Sequence, residues 1–268
     1  MAPTKPPDPR SEEFWRNFLT RGDSLEALGR KVLKHIPSDP RCKLCAAPFQ
    51  GPGAPFMRLI GKSPSEASPN MCSSCFRFLS EHHGGAEIDA AMLFADIRGS
   101  TSLAETMSPG EFHDLLERFY ATASNVVFEH DGAVDKFVGD EIVALFFPLL
   151  AGERYSERAV SAARALLRAT GHGDPQGPWV PVGVGVHTGR AWFGAVGSGP
   201  HVELTAVGDA VNVAARLASL ADRGEILVSI ATSDAAGLDP GLERSALELK
   251  GKQDSIEVVR LRVDLEAA

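Results

Sequence analysis

The sequence lacks several features that mark common classes of protein. Its 268 residues hold 27 Lys and Arg against 35 Asp and Glu, a net charge of −8, so it has no positive excess of the kind that proteins coating DNA or anionic membranes need. No apolar run approaches the ~20 residues of a membrane span, and Pro148 also interrupts the most apolar stretch, Ile142–Leu150. The proline-rich residues 1–10 also lack the apolar core of a secretory signal. We therefore expect a soluble, cytoplasmic protein with neither a membrane nor a nucleic acid as its partner.

Cysteine is scarce, and its placement is informative. The four cysteines form two C-x-x-C pairs, Cys42 with Cys45 and Cys72 with Cys75. A secreted disulfide framework spreads its bridges over the fold, whereas two close pairs in a cytosolic chain are typical of a metal site. Four thiolates suit tetrahedral Zn²⁺, although the segment between the pairs is longer than in common zinc ribbons. We expect Zn²⁺ here, with an iron–sulfur cluster on the same ligands as the alternative.

Composition divides the chain into four parts. Residues 1–10 are predicted to be a disordered tail, residues 11–39 two N-terminal helices, and residues 40–83 a zinc-ribbon-like metal-binding module with a Gly-, Pro- and Ser-rich loop between the cysteine pairs. A Gly-Gly pair then separates a larger domain, residues 86–268. The basic residues of the module form no dense stripe, so we expect residues 11–83 to contact a regulatory protein rather than DNA.

The larger domain alternates strands and helices in the order β-α-β-β-α-β. The predicted elements are strands at Ile88–Ala95, Ala133–Val138, Glu141–Phe147, Val180–His187, Trp192–Val196 and Ile226–Ser229, and helices opened by Ser108, Pro109 and Glu111 and at Ser156–Thr170 and Asp209–Leu220. Two more strand-like segments flank residues 250–252. This order predicts an α+β fold, a ferredoxin-like sandwich with helices on one face of an antiparallel sheet.

Two aspartates follow strands of this predicted sheet. Asp96 ends a buried strand and precedes a turn of small residues, where it either holds a divalent cation or caps the next helix. Asp140 lies at the tip of the predicted hairpin, where Gly139-Asp140 is also a common turn sequence. In a ferredoxin-like sheet the hairpin lies beside the first strand, so Asp140 could approach Asp96. Two carboxylates in one site repel unless a cation lies between them, as in a two-metal phosphoryl-transfer centre.

Asn212 and Arg216 are polar residues on a helix that is otherwise Val, Ala and Leu. Because they are four apart, they lie on one face of that helix. An arginine that extends from an apolar face to solvent would explain one of them. The two together suggest a pair directed at a ligand.

Taken in order, five segments resemble the catalytic domain of class III adenylate and guanylate cyclases, and the resemblance runs from about Glu87 to Val263. These segments are Phe94–Thr101 (FADIRGST), Lys136–Asp140 (KFVGD), Gly185–Gly189 (GVHTG), Val207–Leu217 (VGDAVNVAARL) and Leu249–Lys252 (LKGK). Each segment alone is weak, but five in register are highly specific. The resemblance implies an adenylate cyclase that makes 3′,5′-cyclic AMP and pyrophosphate from ATP.

The resemblance also assigns roles to individual residues. It implies that Asp96, Ile97 and Asp140 bind two Mg²⁺ or Mn²⁺ ions. One ion would lower the pKa of the attacking ribose 3′-hydroxyl, and the other would neutralise the triphosphate. Arg216 corresponds to the transition-state arginine and Asn212 to the asparagine that orients the ribose. The remaining substrate contacts implied are Ile97, Gly99, Ser100, Thr101 and Lys250, with Lys252 as the alternative to Lys250.

Base choice is implied by Lys136 and Thr205. A lysine donates hydrogen bonds and cannot accept them, so Lys136 suits N1 of adenine and not N1–H of guanine. Thr205 stands where many members have aspartate, and its oxygen can still accept from the N6 amino group. Guanylate-specific members have glutamate at the lysine position, so the Lys–Thr pair resembles the bacterial adenylate-cyclase subgroup with threonine. We expect weaker base discrimination than with a carboxylate.

A complete set of family positions on one chain implies a symmetric homodimer with active sites at the interface, each using aspartates from one subunit and Asn212 and Arg216 from the other. The module and the helices before it would then be regulatory or dimer-stabilising. Two alternatives remain open: a cyclase that acts on GTP or another nucleotide, and a catalytically silent, nucleotide-binding regulator.

Overall fold

The computed structural model describes residues 9–21, 29–30, 32–36, 38, 40–197, 202–248 and 255–263. Its helices are α1 (Pro9–Thr20), α2 (Ala54–Leu59), α3 (Ser73–Glu81), α4 (Ser100–Thr106), α5 (Pro109–Glu129), α6 (Pro148–Ala151), α7 (Tyr155–Ala169), α8 (Asp209–Leu220) and α9 (Ile230–Ala235). Its strands are β1 (Gly84–Ile97), β2 (Ala133–Val138), β3 (Glu141–Phe146), β4 (Val182–Val196), β5 (Glu203–Val207), β6 (Glu225–Ser229), β7 (Arg244–Leu247) and β8 (Ile256–Arg262).

The chain falls into two compact units. The first holds the residues up to Ile88 with Pro148–Gly152 and Ala191–Val207, and the second holds the rest.

The strands form one sheet in the order β2-β3-β1-β4-β6-β8-β7, with β5 paired to β4. The first four strands of this order are those of a ferredoxin-like core, and β3 pairs antiparallel with both β1 and β2. The predicted α+β fold is therefore confirmed. The sheet is mixed rather than antiparallel, because β4 and β6 run parallel.

In the second unit, α5 and α7 cover one face of the sheet. They bury Phe119, Val127 and Leu166 against sheet residues such as Leu93 and Val184. The predicted capping box at the start of α5 is present: the Glu111 backbone N–H donates to the Ser108 hydroxyl, and the Ser108 backbone N–H donates to the Glu111 carboxylate.

Helix α8 lies on the other face of the sheet, contrary to the expectation that all helices share one face. Val213 and Leu217 of α8 pack against Leu227 of β6, whereas the neighbouring Ile226 faces the larger core. Gly185 of β4 makes this packing close: a Cβ there would lie 2.2 Å from the Ala218 nitrogen and 2.6 Å from the Ala214 oxygen. The backbone of α8 therefore rests directly on β4.

In the first unit, α1 and α3 pack through aromatic rings. Trp15 is fully buried, and the rings of Phe18 and Phe78 are 4.8 Å apart. Helix α1 begins at Pro9, inside the tail predicted for residues 1–10. The sequence also predicted a loop where α2 forms, and it split β4 into two strands.

Candidate functional site

The two predicted metal-binding aspartates lie at the same end of neighbouring strands. Asp96, near the end of β1, pairs in register with Glu141 of β3, directly after Asp140. The Ile97 backbone N–H donates to the Asp140 carbonyl oxygen at 3.3 Å. Gly139 makes the hairpin turn possible with a φ of 61°, which favours glycine. The backbone thus brings Asp96 and Asp140 together, and both side chains are half-buried.

Arg98 is a residue of this site to which the sequence analysis gave no role. Its guanidinium forms an ion pair with the Asp96 carboxylate and donates to the Ser219 carbonyl oxygen of α8 at 3.0 Å. Burial lowers the pKa of Arg98, while the charges of Asp140, Glu141 and Asp222 act in the opposite direction. Its only signal in the sequence is its position inside the segment Phe94–Thr101.

Glu141 is a second residue that the sequence analysis missed. Burial and the charge of Asp140 raise the pKa of Glu141 to about 7, against the opposing effect of Arg98. Asp140 therefore adds a like charge beside the partly buried Glu141. A cation bound there would relieve this repulsion.

The turn after β1 holds the predicted substrate contacts. Ile97 is 2% exposed. Gly99 has a φ of 71° and precedes α4, whose first two residues are Ser100 and Thr101. The Arg98 backbone N–H donates to the Pro181 carbonyl oxygen at 2.8 Å and fixes this turn against the start of β4.

Lys136 lies on β2 directly after a bulge between Val134 and Lys136. Its Nζ is 3.5 Å from a carboxylate oxygen of Asp135, and the Lys136 side chain is 43% exposed. Tyr120 of α5 supports the hairpin: its ring stacks on Phe137 with centroids 4.3 Å apart, and its hydroxyl donates to the Gly139 carbonyl oxygen. The lysine thus stands at an accessible position on a braced hairpin.

Asn212 and Arg216 lie one turn apart on α8. Asn212 is exposed and Arg216 is half-buried, while Val213, Ala214 and Leu217 face the sheet. Both side chains therefore occupy the part of the helix that is turned away from its own core. The described contacts link α8 to the aspartate site through Arg98.

Thr205 is 6% exposed on β5, where it pairs in register with Gly194, and it belongs to the first compact unit. Lys250 and Lys252 lie outside the described residues.

The four cysteines converge in the first unit. Their sulfur atoms all lie within 4.8 Å of one another, and the sulfurs of Cys45 and Cys72 are 3.7 Å apart. A tetrahedron with metal–sulfur bonds of about 2.3 Å has sulfur–sulfur edges of about 3.8 Å. The cluster therefore has the size required by a single four-coordinate ion.

Local structure explains how the cysteine pairs reach this geometry. Cys42 and Cys45 lie in a turn that ends at Ala46, which has a φ of 61°. Cys72 is the N-cap of α3, and Cys75 lies in its first turn. The backbone N–H of Cys72 donates to the Cys42 sulfur at 3.3 Å.

The charges of the cysteine cluster also fit a cation. Hydrogen bonding to Cys45, Cys72 and Cys75 places the pKa of Cys42 well below its usual value. Hydrogen bonding to the other three sulfurs and burial raise the pKa of Cys75, so the four thiols resist ionising together. Lys62 lies 3.7 Å from the Cys45 sulfur; burial alone would lower its pKa, but the charge on the cysteines raises it.

No helix in the described ranges is both long and apolar enough to cross a membrane.

Comparison with known proteins identifies a family for the part of the chain that follows the cysteine module. Residues 86–260 match the adenylate and guanylate cyclase catalytic domain. Among curated relatives, an adenylate cyclase of Anabaena cylindrica is 30% identical over 186 residues, which are 64% of this chain and 36% of that protein. An uncharacterised protein of Mycobacterium tuberculosis is 38% identical over 138 residues, 52% of this chain and 25% of that protein. The chain thus spans only about a quarter to a third of the length of these relatives.

Two cyclases are among the solved structures that are similar to this chain. The guanylyl cyclase Cya2 has a TM-score of 0.59 and 28% identity, with 66% of this chain and 93% of that chain covered. The adenylyl cyclase CyaB from P. aeruginosa has a TM-score of 0.57 and 26% identity, covering 66% and 95% respectively. One is a guanylyl and the other an adenylyl cyclase, so overall similarity does not select the base. The chain belongs to the family of the adenylate and guanylate cyclase catalytic domain.

Proposed function

We propose that this protein is an adenylate cyclase that converts ATP into 3′,5′-cyclic AMP and pyrophosphate. The observation that carries the proposal is the meeting of Asp96 and Asp140 at one edge of the sheet, joined by the hydrogen bond from Ile97 to Asp140. A pair of half-buried carboxylates at that place is the arrangement that two-metal phosphoryl transfer requires.

The donor set of this edge fits Mg²⁺ or Mn²⁺. Carboxylate oxygens are the ligands that these hard cations prefer, and Asp96 and Asp140 would hold them. Glu141 supports this, because the charge of Asp140 contributes, after burial, to its raised pKa. When bound there, the two ions supply Lewis-acid activation of the ribose 3′-hydroxyl and neutralise the charge of the triphosphate.

The remaining chemistry belongs to side chains of α8. Arg216, with its fixed positive charge, is suited to stabilise negative charge that grows on the α-phosphate in the transition state. Asn212, one turn earlier and exposed, is suited to orient the ribose by hydrogen bonds. Lys250, by the resemblance to the family, would bind the terminal phosphates.

Lys136 supports ATP as the substrate. Its ammonium group donates hydrogen bonds only and therefore suits the acceptor N1 of adenine. Thr205 would complete the base contact by accepting from the N6 amino group. The second candidate is a guanylate cyclase, favoured by the similarity to the guanylyl cyclase Cya2.

We also infer that the active unit is a homodimer. This chain carries both the aspartates and the α8 pair, and the resemblance to the family assigns these two groups to opposite subunits of each site. A symmetric dimer of this chain would contain two equivalent sites.

The four-cysteine cluster is proposed to bind one structural Zn²⁺. The short sulfur–sulfur separations favour a single ion over an iron–sulfur cluster, whose irons spread the thiolates further apart. Four free thiols also suit the reducing cytoplasm, where we expect the protein to act. The exposed apolar side chains of α2, Phe56 and Leu59, support a protein contact through this module.

Incubation of the purified chain with Mn²⁺ and all four nucleoside triphosphates in competition tests the proposal. We expect cyclic AMP as the main product. Asp96→Asn should lower the rate about 100-fold or more because it weakens metal binding. Asp89→Asn is the matched control, since Asp89 is an exposed aspartate on the same strand. Cyclic GMP as the main product would favour the second candidate, and no cyclic product would identify a silent regulator.

A further inference from the structure

Arg98 makes contacts in two directions. Its Nη2 forms the ion pair with the Asp96 carboxylate, and its Nη1 donates to the Ser219 and Ala221 carbonyl oxygens at 3.0 and 3.4 Å. These carbonyls belong to the last turn and the C-cap of α8, where helix carbonyls lack partners within the helix. One side chain thus connects a proposed metal ligand to the helix that carries Asn212 and Arg216.

The charges around Arg98 are strongly negative. Besides Asp96, its guanidinium lies within the electrostatic influence of Asp140, Glu141 and Asp222. Its side chain is only 21% exposed, so water screens these interactions less than at the surface. A positive group in this place offsets the same repulsion that a divalent cation would offset.

The shape of the guanidinium allows it to contact Asp96 and α8 at the same time. It presents five N–H donors in a planar fork, so it can bind a carboxylate on one edge and backbone carbonyls on another. The negative end of the α8 dipole adds to the attraction of the carbonyls. The guanidinium can therefore keep its contacts with α8 when the Asp96 carboxylate takes another partner.

We infer that Arg98 is a resident counter-ion of the aspartate pair, which holds Asp96 in the metal-free protein and yields that carboxylate to a divalent cation while staying anchored on α8. The inference rests on the proposed function, because it requires Asp96 to bind metal. Its consequence is that Arg98 competes with the cation and sets the metal concentration at which the site fills.

Titration of the zinc-saturated full chain with Mn²⁺, followed by the EPR signal of free Mn²⁺, tests this inference without any turnover. We expect Arg98→Gln to tighten Mn²⁺ binding about three- to tenfold, because both the competitor and its positive charge are removed. Arg154→Gln is the matched control: it removes the same charge from an exposed ion pair with Glu157 and should leave Mn²⁺ binding unchanged. Unchanged or weaker binding by Arg98→Gln would overturn the inference.

Asp96→Asn separates this result from a failure of the proposed function. If the parent binds no more Mn²⁺ than Asp96→Asn, the metal site itself is absent and the proposed function fails. If binding depends on Asp96 but not on Arg98, only the present inference fails.

A second measurement covers the case in which Arg98→Gln does not fold. In the parent chain with ¹⁵N-labelled arginine, Mg²⁺ should shift the Arg98 Nε–Hε resonance in a saturable manner, and Arg98→Lys identifies that resonance by its loss. A resonance that does not move while Mg²⁺ saturates the site would contradict displacement.

Discussion

At the residue scale, base choice depends on the hydrogen bonds that Lys136 can make. Lys136→Glu replaces a donor by an acceptor, which suits N1–H of guanine and opposes N1 of adenine. We expect the ratio of kcat/KM for ATP to that for GTP to fall about tenfold or more. Competition assays measure this ratio directly.

Lys136→Arg is the control for this prediction, because it keeps a donor at the same position and should keep the preference for ATP. The glutamate also places a like charge beside the buried Asp135, so the thermal midpoint must be compared with that of the parent. An unchanged ratio in a folded variant would remove Lys136 from the account of base choice.

The sequence predicted that Asp96 and Asp140 belong to one site, but it did not predict that Arg98 does. Asp96 and Asp140 could be found because each follows a strand whose neighbours the fold class fixes. Arg98 could not, since its role depends on reaching Ser219, 121 positions away, through a side-chain contact that no local pattern encodes. Thr205 could be assigned only by resemblance, because β5 itself was not recognised in the sequence.

At the element scale, the position of α8 depends on the absence of a side chain at Gly185. Gly185→Ala would place a Cβ 2.2 Å from the Ala218 nitrogen, so the helix must move away from β4. We expect a loss of about 1–3 kcal/mol in the free energy of unfolding. Cyclase activity should also fall, because Asn212 and Arg216 move with the helix.

Gly110→Ala is the matched control, since a Cβ at that position in α5 meets nothing within 4 Å. It should be neutral or slightly stabilising, as expected for alanine in a helix. Urea denaturation compares the two variants. Equal stability of Gly185→Ala and the parent would show that α8 does not need its close contact with β4.

Strand β4 was predicted as two strands divided at residues 188–191, where Gly189 weakens the strand pattern. Two further glycines lie inside the predicted strands: Gly185 admits the backbone of α8, and Gly194 admits Gly84, whose carbonyl oxygen would lie 2.3 Å from an added Cβ. These two glycines therefore serve close approaches between elements. By contrast, the capping box at Ser108 and Glu111 is local, and the start of α5 was predicted correctly.

The cysteine module joins its proposed metal site to a helix, because Cys72 is the N-cap of α3 and Cys75 lies in its first turn. We expect one Zn²⁺ per chain, a colourless protein, and loss of the metal in Cys72→Ser. Loss of the ion should make residues 40–83 sensitive to proteolysis, since ligand binding and folding of such modules are coupled.

Elemental analysis, the visible spectrum and limited proteolysis test this prediction together. Ser74→Ala is the control, because Ser74 lies in the same helix turn and bonds to the Gly61 carbonyl oxygen instead of the cluster. A coloured protein that contains iron and inorganic sulfide would replace zinc by the iron–sulfur alternative.

At the scale of the whole molecule, the fold class followed from the order of strands and helices, and the family followed from five segments in register. The parallel pairing of β4 with β6 and the helix on the second face of the sheet did not follow, because both depend on elements beyond the β-α-β-β-α-β core. Assembly is a further step, since the proposed active site needs residues from two copies.

Complementation between two inactive variants tests that central claim most directly. Asp140→Asn removes a proposed metal ligand and Arg216→Ala removes the proposed transition-state arginine, so each variant alone should be inactive. After the two are mixed and allowed to exchange subunits, half of the dimers are mixed, and each mixed dimer holds one intact site out of two. The account predicts recovery of about a quarter of the parental rate of cyclic AMP formation; a mixture that stays inactive, although mass spectrometry detects the mixed dimers, would contradict it.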